Sequence, residues 1–198
     1  MKNPATLEPK AHIRPAQSGD ICVLLEPNRE EEIAQLRERQ TALQGLYGGG
    51  LIKHVHLTCQ RFACADERLV REFVQRLRQI VAEVEPFTLT ALSLETRYVL
   101  IRETNVLKWR VEETAELRRF AGLVEEALEA TGIASLYALG FVACLVTALR
   151  EVPELGAGEL VHYDELPYPL FDAGKVILSR ILGPNAFEIL ATVEWCPR

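Results

Sequence analysis

This 198-residue chain is poor in histidine, with four residues of that type, and contains one methionine. It has no run of 18 apolar residues, which excludes a membrane-spanning helix on hydropathy alone. The first twenty residues lack an apolar core segment, so no secretory signal is expected. The five cysteines, Cys22, Cys59, Cys64, Cys144 and Cys196, are odd in number and none is spaced C-x-x-C. That count argues against a disulfide framework or a zinc site and for free thiols in a reducing cytoplasm. Excess positive charge is also missing. The net charge of −6 argues against a protein that coats a long nucleic-acid tract, although a small basic site remains compatible with it.

What remains is an ordinary composition, 48% hydrophobic and 25% charged, large enough for a real core. Arginine outnumbers lysine 17 to 5, which suits forked contacts to phosphate or carboxylate. Residues 1–19 carry proline and little periodicity and are expected to form an arm. Ile21 to Leu25 is a short apolar run closed by Pro27, hence a buried strand. Asn28 with Glu31 predicts a capped helix bearing Ile33, Leu36, Leu43 and Tyr47, stopped by Gly48-Gly49-Gly50. Residues 52–62 alternate. Val55, Leu57 and Cys59 fall on one side, and His54, His56, Thr58 and Gln60 on the other. Asp66 caps an amphipathic helix with Leu69, Phe73, Leu77, Ile80 and Val84, ended by Pro86.

The second half predicts strands at 87–94, 98–101 and 106–112, with a turn at Thr104-Asn105. A helix over 114–131 follows, ending at Gly132. The apolar run 139–149 fits a fully buried strand or a short helix, and its glycine and β-branched residues favour the strand; 153–173 reads as a long loop, and 175–195 as a hairpin turning at Gly183-Pro184-Asn185. The order of elements gives an α+β chain with antiparallel sheet. The strand-helix-strand pattern of the first half is echoed in the second, as a two-lobed duplication would produce.

The histidine strand is the feature that asks for chemistry. His54, His56 and Thr58 at i, i+2 and i+4 share one face, while Val55, Leu57 and Cys59 turn to the core. Imidazole passes protons near neutrality, and a neighbouring hydroxyl can hold an anionic oxygen. An edge strand with a polar solvent face produces the same pattern.

His56-Leu57-Thr58-Cys59, on a strand followed by a helix, resembles the His-x-Thr-x motif of the two-histidine (2H) phosphoesterases, the family of the 2′-5′ RNA ligases and RNA 2′,3′-cyclic phosphodiesterases. The resemblance covers about residues 20–196. It implies two pseudo-symmetric lobes of antiparallel sheet with outer helices, here one bilobal domain over 20–198 after the arm at 1–19. It implies a groove where one imidazole acts as base, another as acid, and two threonines bind phosphate oxygens, with no metal or other cofactor. The implied partner is a nucleotide or RNA end carrying a 2′,3′-cyclic or 2′-linked phosphate, in the cytoplasm, with no membrane and no long nucleic-acid tract.

On this resemblance His56 and Thr58 are the catalytic pair, and Thr147 and His54 bind substrate. The second motif is degenerate. Leu145-Val146-Thr147-Ala148 keeps the threonine but puts leucine in the histidine position. The alternative is therefore a catalytically degenerate binding or scaffold protein of the same fold, with an apolar groove wall formed by Phe141 and Leu145. His162 is a further groove candidate. Arg61 falls on the core parity near its strand end. Arg97, Arg102 and Arg110 fall where they either line a groove or stand in solvent. Tyr98 and Trp109 are read as core rather than base-stacking. A metal site on His54 and His56 lacks carboxylates at ligand spacing.

Overall fold

The structure is a computed structural model and describes residues 14–137, 144–154, 166–184 and 186–195. Among these residues the elements run β1 (Asp20–Glu26), α1 (Glu30–Tyr47), β2 (Gly50–Leu51), β3 (Leu57–Ala63), α2 (Glu67–Glu83), β4 (Thr88–Val99), β5 (Thr104–Val111), α3 (Ala115–Ala130), β6 (Leu145–Arg150), β7 (Tyr168–Asp172), β8 (Lys175–Gly183) and β9 (Ala186–Glu194). The strands form one antiparallel sheet in the order β7-β4-β5-β6-β3-β1-β8-β9, with the short β2 beside β6. Its two halves, β7-β4-β5-β6 and β3-β1-β8-β9, join through the single aligned pair Leu57 and Val146. β1-α1-β3 in one half corresponds to β5-α3-β6 in the other. This is the α+β, pseudo-symmetric two-lobed arrangement that the resemblance implies.

The helices cover the sheet crosswise. α1 links β1 to β3 yet packs on β6 and β7 of the other half, while α3 links β5 to β6 and packs on β3 and α2. Between helices and sheet lies the main core, with Phe62, Phe73, Trp109 and Phe120 fully buried. α2 is the helix its sequence predicts. Asp66 accepts a hydrogen bond from the Arg68 amide at 2.8 Å, and Phe73, Leu77 and Ile80 turn inward. Thr114 caps α3 in the same way through the Leu117 amide, and Gly132 follows the helix at φ +75°.

α1 differs from expectation. Its N-cap is Arg29, not Asn28, and no side chain caps it. Asn28 instead packs against Gly174, where a Cβ would lie 2.5 Å from the Asn28 Cβ. Ile33 is exposed, and the buried face includes Glu32 and Gln40 beside Leu36 and Leu43. Polar anchors hold this helix. Glu32 accepts from the Asp172 amide at 2.9 Å, and Gln40 donates to the carbonyls of Ala148 at 2.8 Å and Ile52 at 3.3 Å.

Other boundaries move for identifiable reasons. β4 is one strand of 12 residues rather than two, because its pairing with β5 continues from Leu94 through Val99. The turn expected at Thr104-Asn105 falls at a 3-10 turn, Leu100–Arg102, closed by Glu103 at φ +49°. Tyr168–Asp172, expected as loop, is a strand. It sits at the sheet edge, where Pro169 costs no ladder bond on its open side. The described strand in the apolar run 139–149 begins at Leu145, and residues 138–143 lie outside the described residues. So do Asn185, Cys196 and most of the expected arm. Within residues 14–19, Arg14 pairs with Asp20 and its carbonyl accepts from Arg61.

Candidate active site

The site lies on the sheet face opposite the main core, where β3 and β6 meet. The expected strand 52–62 is only partly formed. Residues 52–56 approach irregularly, and β3 starts at Leu57, directly after His56. His54 is exposed on a bend, whereas His56 and Thr58 are half-buried on the side away from buried Val55, Leu57 and Cys59. His54 and His56 therefore do not stand in one ladder as the alternation predicted. Instead the bend lets the His56 Nδ1 donate to the His54 backbone carbonyl at 3.0 Å. With Nδ1 carrying that proton, Nε2 is left as the basic nitrogen.

Each motif strand carries a bulge one residue beyond its threonine. Leu24 pairs with Thr58 and Val23 with Gln60, which skips Cys59. Lys108 pairs with Thr147 and Leu107 with Leu149, which skips Ala148. A bulge reverses the inward-outward alternation. Gln60, expected beside the histidines, is consequently buried at 1% exposure. Arg61, expected on the core parity, is turned to the face of Thr58, opposite Cys22. Arg150 reaches the equivalent place three residues after Thr147. Arg61 is sealed there by Asp20 at 3.6 Å, the Arg14 carbonyl and the Tyr137 ring. Arg150 is half-buried, and its Nε has no hydrogen-bond partner among the described residues.

The antiparallel register about Leu57 and Val146 directs His56 toward Thr147 and Thr58 toward Leu145. Thr147 in turn stands directly beside Lys108 on β5, and Lys108 beside Glu95 on β4. A row therefore crosses the face as His56, Thr147, Lys108, Glu95. Directly opposed residues present side chains on the same face, about 4.5–5.5 Å apart at Cβ. Among the described residues neither Thr58 nor Thr147 uses its hydroxyl in a hydrogen bond with another group.

Positive side chains gather around the row within an acidic chain. Arg102, half-buried on the β4–β5 turn, and Lys108 both bear on His56. Burial, with these charges added, lowers the His56 imidazole from its usual 6.5 to about 4. Burial likewise lowers the Lys108 amine from 10.5 to about 8, helped by Arg102 and Arg97 and opposed by Glu95. Glu95 forms no ion pair with Lys108. Its oxygens are held by Arg97 and Arg110, each at 2.7 Å, and its carboxyl is held down by those two partners against the opposing effect of burial. His54 lies at the other margin, near Glu26 and Lys175.

Of the residues read from sequence, the fold brings together His56, Thr58 and Thr147, and leaves His54 at the edge as the backbone partner of His56. Arg97 and Arg110 form a surface ion-pair group on Glu95, whereas Arg102 faces the site. Trp109 is core at 0% exposure and Tyr98 is exposed. His162 and Phe141 lie outside the described residues. Lys108 and Arg150 were missed. The alternation of Leu107, Trp109 and Val111 already turned Lys108 outward, but nothing in the sequence placed β5 beside β6. Among the described residues no group of three or more histidine, cysteine, aspartate or glutamate side chains is placed to hold a metal ion. No helix there is long and apolar enough to cross a membrane.

No protein-family model and no curated protein sequence matches the chain. Solved structures do match. TT0787 of Thermus thermophilus is 21% identical with TM-score 0.55, covering 89% of this chain and 97% of its own. E. coli LigT complexed with 3′-AMP is 13% identical with TM-score 0.61, covering 91% and 100%. Kluyveromyces marxianus Usb1 is 13% identical with TM-score 0.54, covering 89% and 99%. These likenesses span nearly the whole chain and establish that it shares the α+β fold of these proteins.

Proposed function

We propose that this chain is a 2H phosphoesterase-like enzyme that hydrolyses a 2′,3′-cyclic or 2′-linked phosphate on a nucleotide or RNA end by acid–base chemistry without a metal. The observation that carries the reading is the His56–Thr147 juxtaposition across the junction of β3 and β6. The His54 carbonyl fixes the tautomer, so Nε2 of His56 is the atom that takes a proton from the attacking water. The free hydroxyls of Thr58 and Thr147 donate to phosphate oxygens. Arg102 and Lys108 supply positive potential for an anion in a chain whose net charge is −6. The bound nucleotides named for LigT, among them 3′-AMP, are consistent with that chemistry. The same reading takes residues 20–198 as one bilobal domain acting in the cytoplasm on a terminus rather than a long nucleic-acid tract.

The test is turnover of 2′,3′-cyclic nucleotides with and without chelator. Hydrolysis to a monophosphate that persists under chelation is expected, and His56→Ala lowers it by about 10²–10⁴-fold. Unchanged turnover in His56→Ala sinks the assignment. Leu145, in the position of the second histidine, favours one other reading: a binding protein that has lost catalysis. Clean binding of 3′-AMP by a chain that turns over no cyclic nucleotide is its signature.

A further inference from the structure

Position 145 holds no histidine, yet within the row a titratable group stands on each side of Thr147. Resting on the phosphoester reading above, we propose that Lys108 is the general acid of this site, protonating the leaving ribose oxygen from the side of the phosphate opposite His56. His56 and Lys108 flank Thr147 on neighbouring strands. Two interstrand steps separate their backbones by about 10 Å. That span leaves room for a phosphate above Thr147, with one side chain reaching in from each side. In-line displacement needs attacking and leaving oxygens on opposite sides of phosphorus. Leu145 stands beside Thr58 and Arg110, off this row, and is not required by it.

Lys108 is built for a proton rather than an ion pair. It is half-buried between core residues Leu107 and Trp109. No carboxylate forms a salt bridge with it among the described residues. The titratable groups that face it are Glu95 and Arg97 from β4, Arg102 from the turn, and His56 just before β3. Arg110, on its own strand, is taken up by Glu95. Burial first, then the net effect of those charges, puts the amine at about 8, so it is protonated yet acidic enough to give up a proton near neutral pH.

The step balances without a co-reactant other than water. A water oxygen bonds to phosphorus while the phosphorus–oxygen bond to one ribose oxygen breaks. His56 Nε2 takes a proton from the water, and Lys108 Nζ gives one to the departing oxygen. A phosphomonoester, an imidazolium and a neutral amine result, and solvent carries the proton from the ring back to the amine.

The experiment compares wild type, Lys108→Met and Lys108→Arg on a 2′,3′-cyclic nucleotide and on a nucleoside phosphodiester with a p-nitrophenolate leaving group, with kcat/KM followed across pH. The wild type should show a plateau from about 4 to about 8, set by His56 and Lys108. Two ordinary imidazoles would give a narrow optimum near 6.5 instead. Lys108→Met should lose about 10²-fold or more on the cyclic nucleotide and under about tenfold on the activated ester, whose leaving group needs no proton. Lys108→Arg should keep 3′-AMP binding and lose the alkaline limb. Equal losses on both substrates, or none, overturn the acid role while leaving His56 and the proposed function standing. A wild type with no turnover overturns both. NMR titration of the wild-type Lys108 amine gives a readout independent of the variants, and a value near 10.5 counts against the proposal.

Discussion

His56 shows how much one side chain owes to its surroundings. In the unfolded chain its imidazole titrates near 6.5, whereas folded it titrates near 4 because burial disfavours the charged ring. Between those values the unfolded chain binds more protons than the folded one, so stability rises with pH across that window. Acidification from 6.5 toward 4 should therefore cost on the order of 2–3 kcal/mol through this residue alone. Urea titrations at several pH values should show this slope flattened in His56→Phe. A bound phosphate, placed among Lys108, Arg102 and the ring, would offset the neighbouring positive charges. NMR titration should then find the His56 value raised by 3′-AMP.

At the scale of elements, the bulges in β3 and β6 do most to build the site. Each lets a strand present a threonine and, three residues on, an arginine to the same face. β6 is braced from two sides. Gln40 of α1 donates to its Ala148 carbonyl, and β2 pairs with Leu149 and Arg150. Gly49 makes the approach to β2 possible. It sits at φ +84°, and a Cβ there would lie 2.6 Å from the Arg150 carbonyl and 2.8 Å from Val152. Gly49→Ala should destabilise the protein by about 1–3 kcal/mol in chemical denaturation. Gly45→Ala, within α1 with nothing within 4 Å of its Cβ, should stabilise by about 0.5–1 kcal/mol. The alternating pattern made the threonine strand legible, but the bulges were not, because they arise from pairing between strands distant in sequence.

For the whole molecule the question is how two half-sheets joined by one aligned pair hold a fixed groove. The β4–β5 turn reaches across the junction. Ile101 packs with Cys22, Leu24, Ile177 and Ile181 of the other half, and the Arg102 guanidinium lies 5.9 Å from the centre of the Phe187 ring. The turn that carries a site cation is thus also a tie between lobes. Ile101→Ala should cost about 1 kcal/mol in stability. It should also weaken 3′-AMP binding, measured by calorimetry, although Ile101 stands outside the row of site residues. Full stability with unchanged affinity would show that the turn plays no bridging part.

The sequence by itself determined the three helices and most of the strands, the buried face of α2, the threonine motif on β3 and the absence of histidine at position 145. These follow from local periodicity, capping chemistry and residue identity, all readable within about ten neighbours. Only the tertiary structure decided that Arg61 turns away from the core, that α1 is held by Gln40 and Glu32 rather than an apolar stripe, and that Lys108 stands beside Thr147. Strand order and register are set by contacts across the whole chain. A bulge or a neighbour on the next strand leaves no local mark in the sequence, so the place of Lys108 beside Thr147 became visible only once the strands were paired.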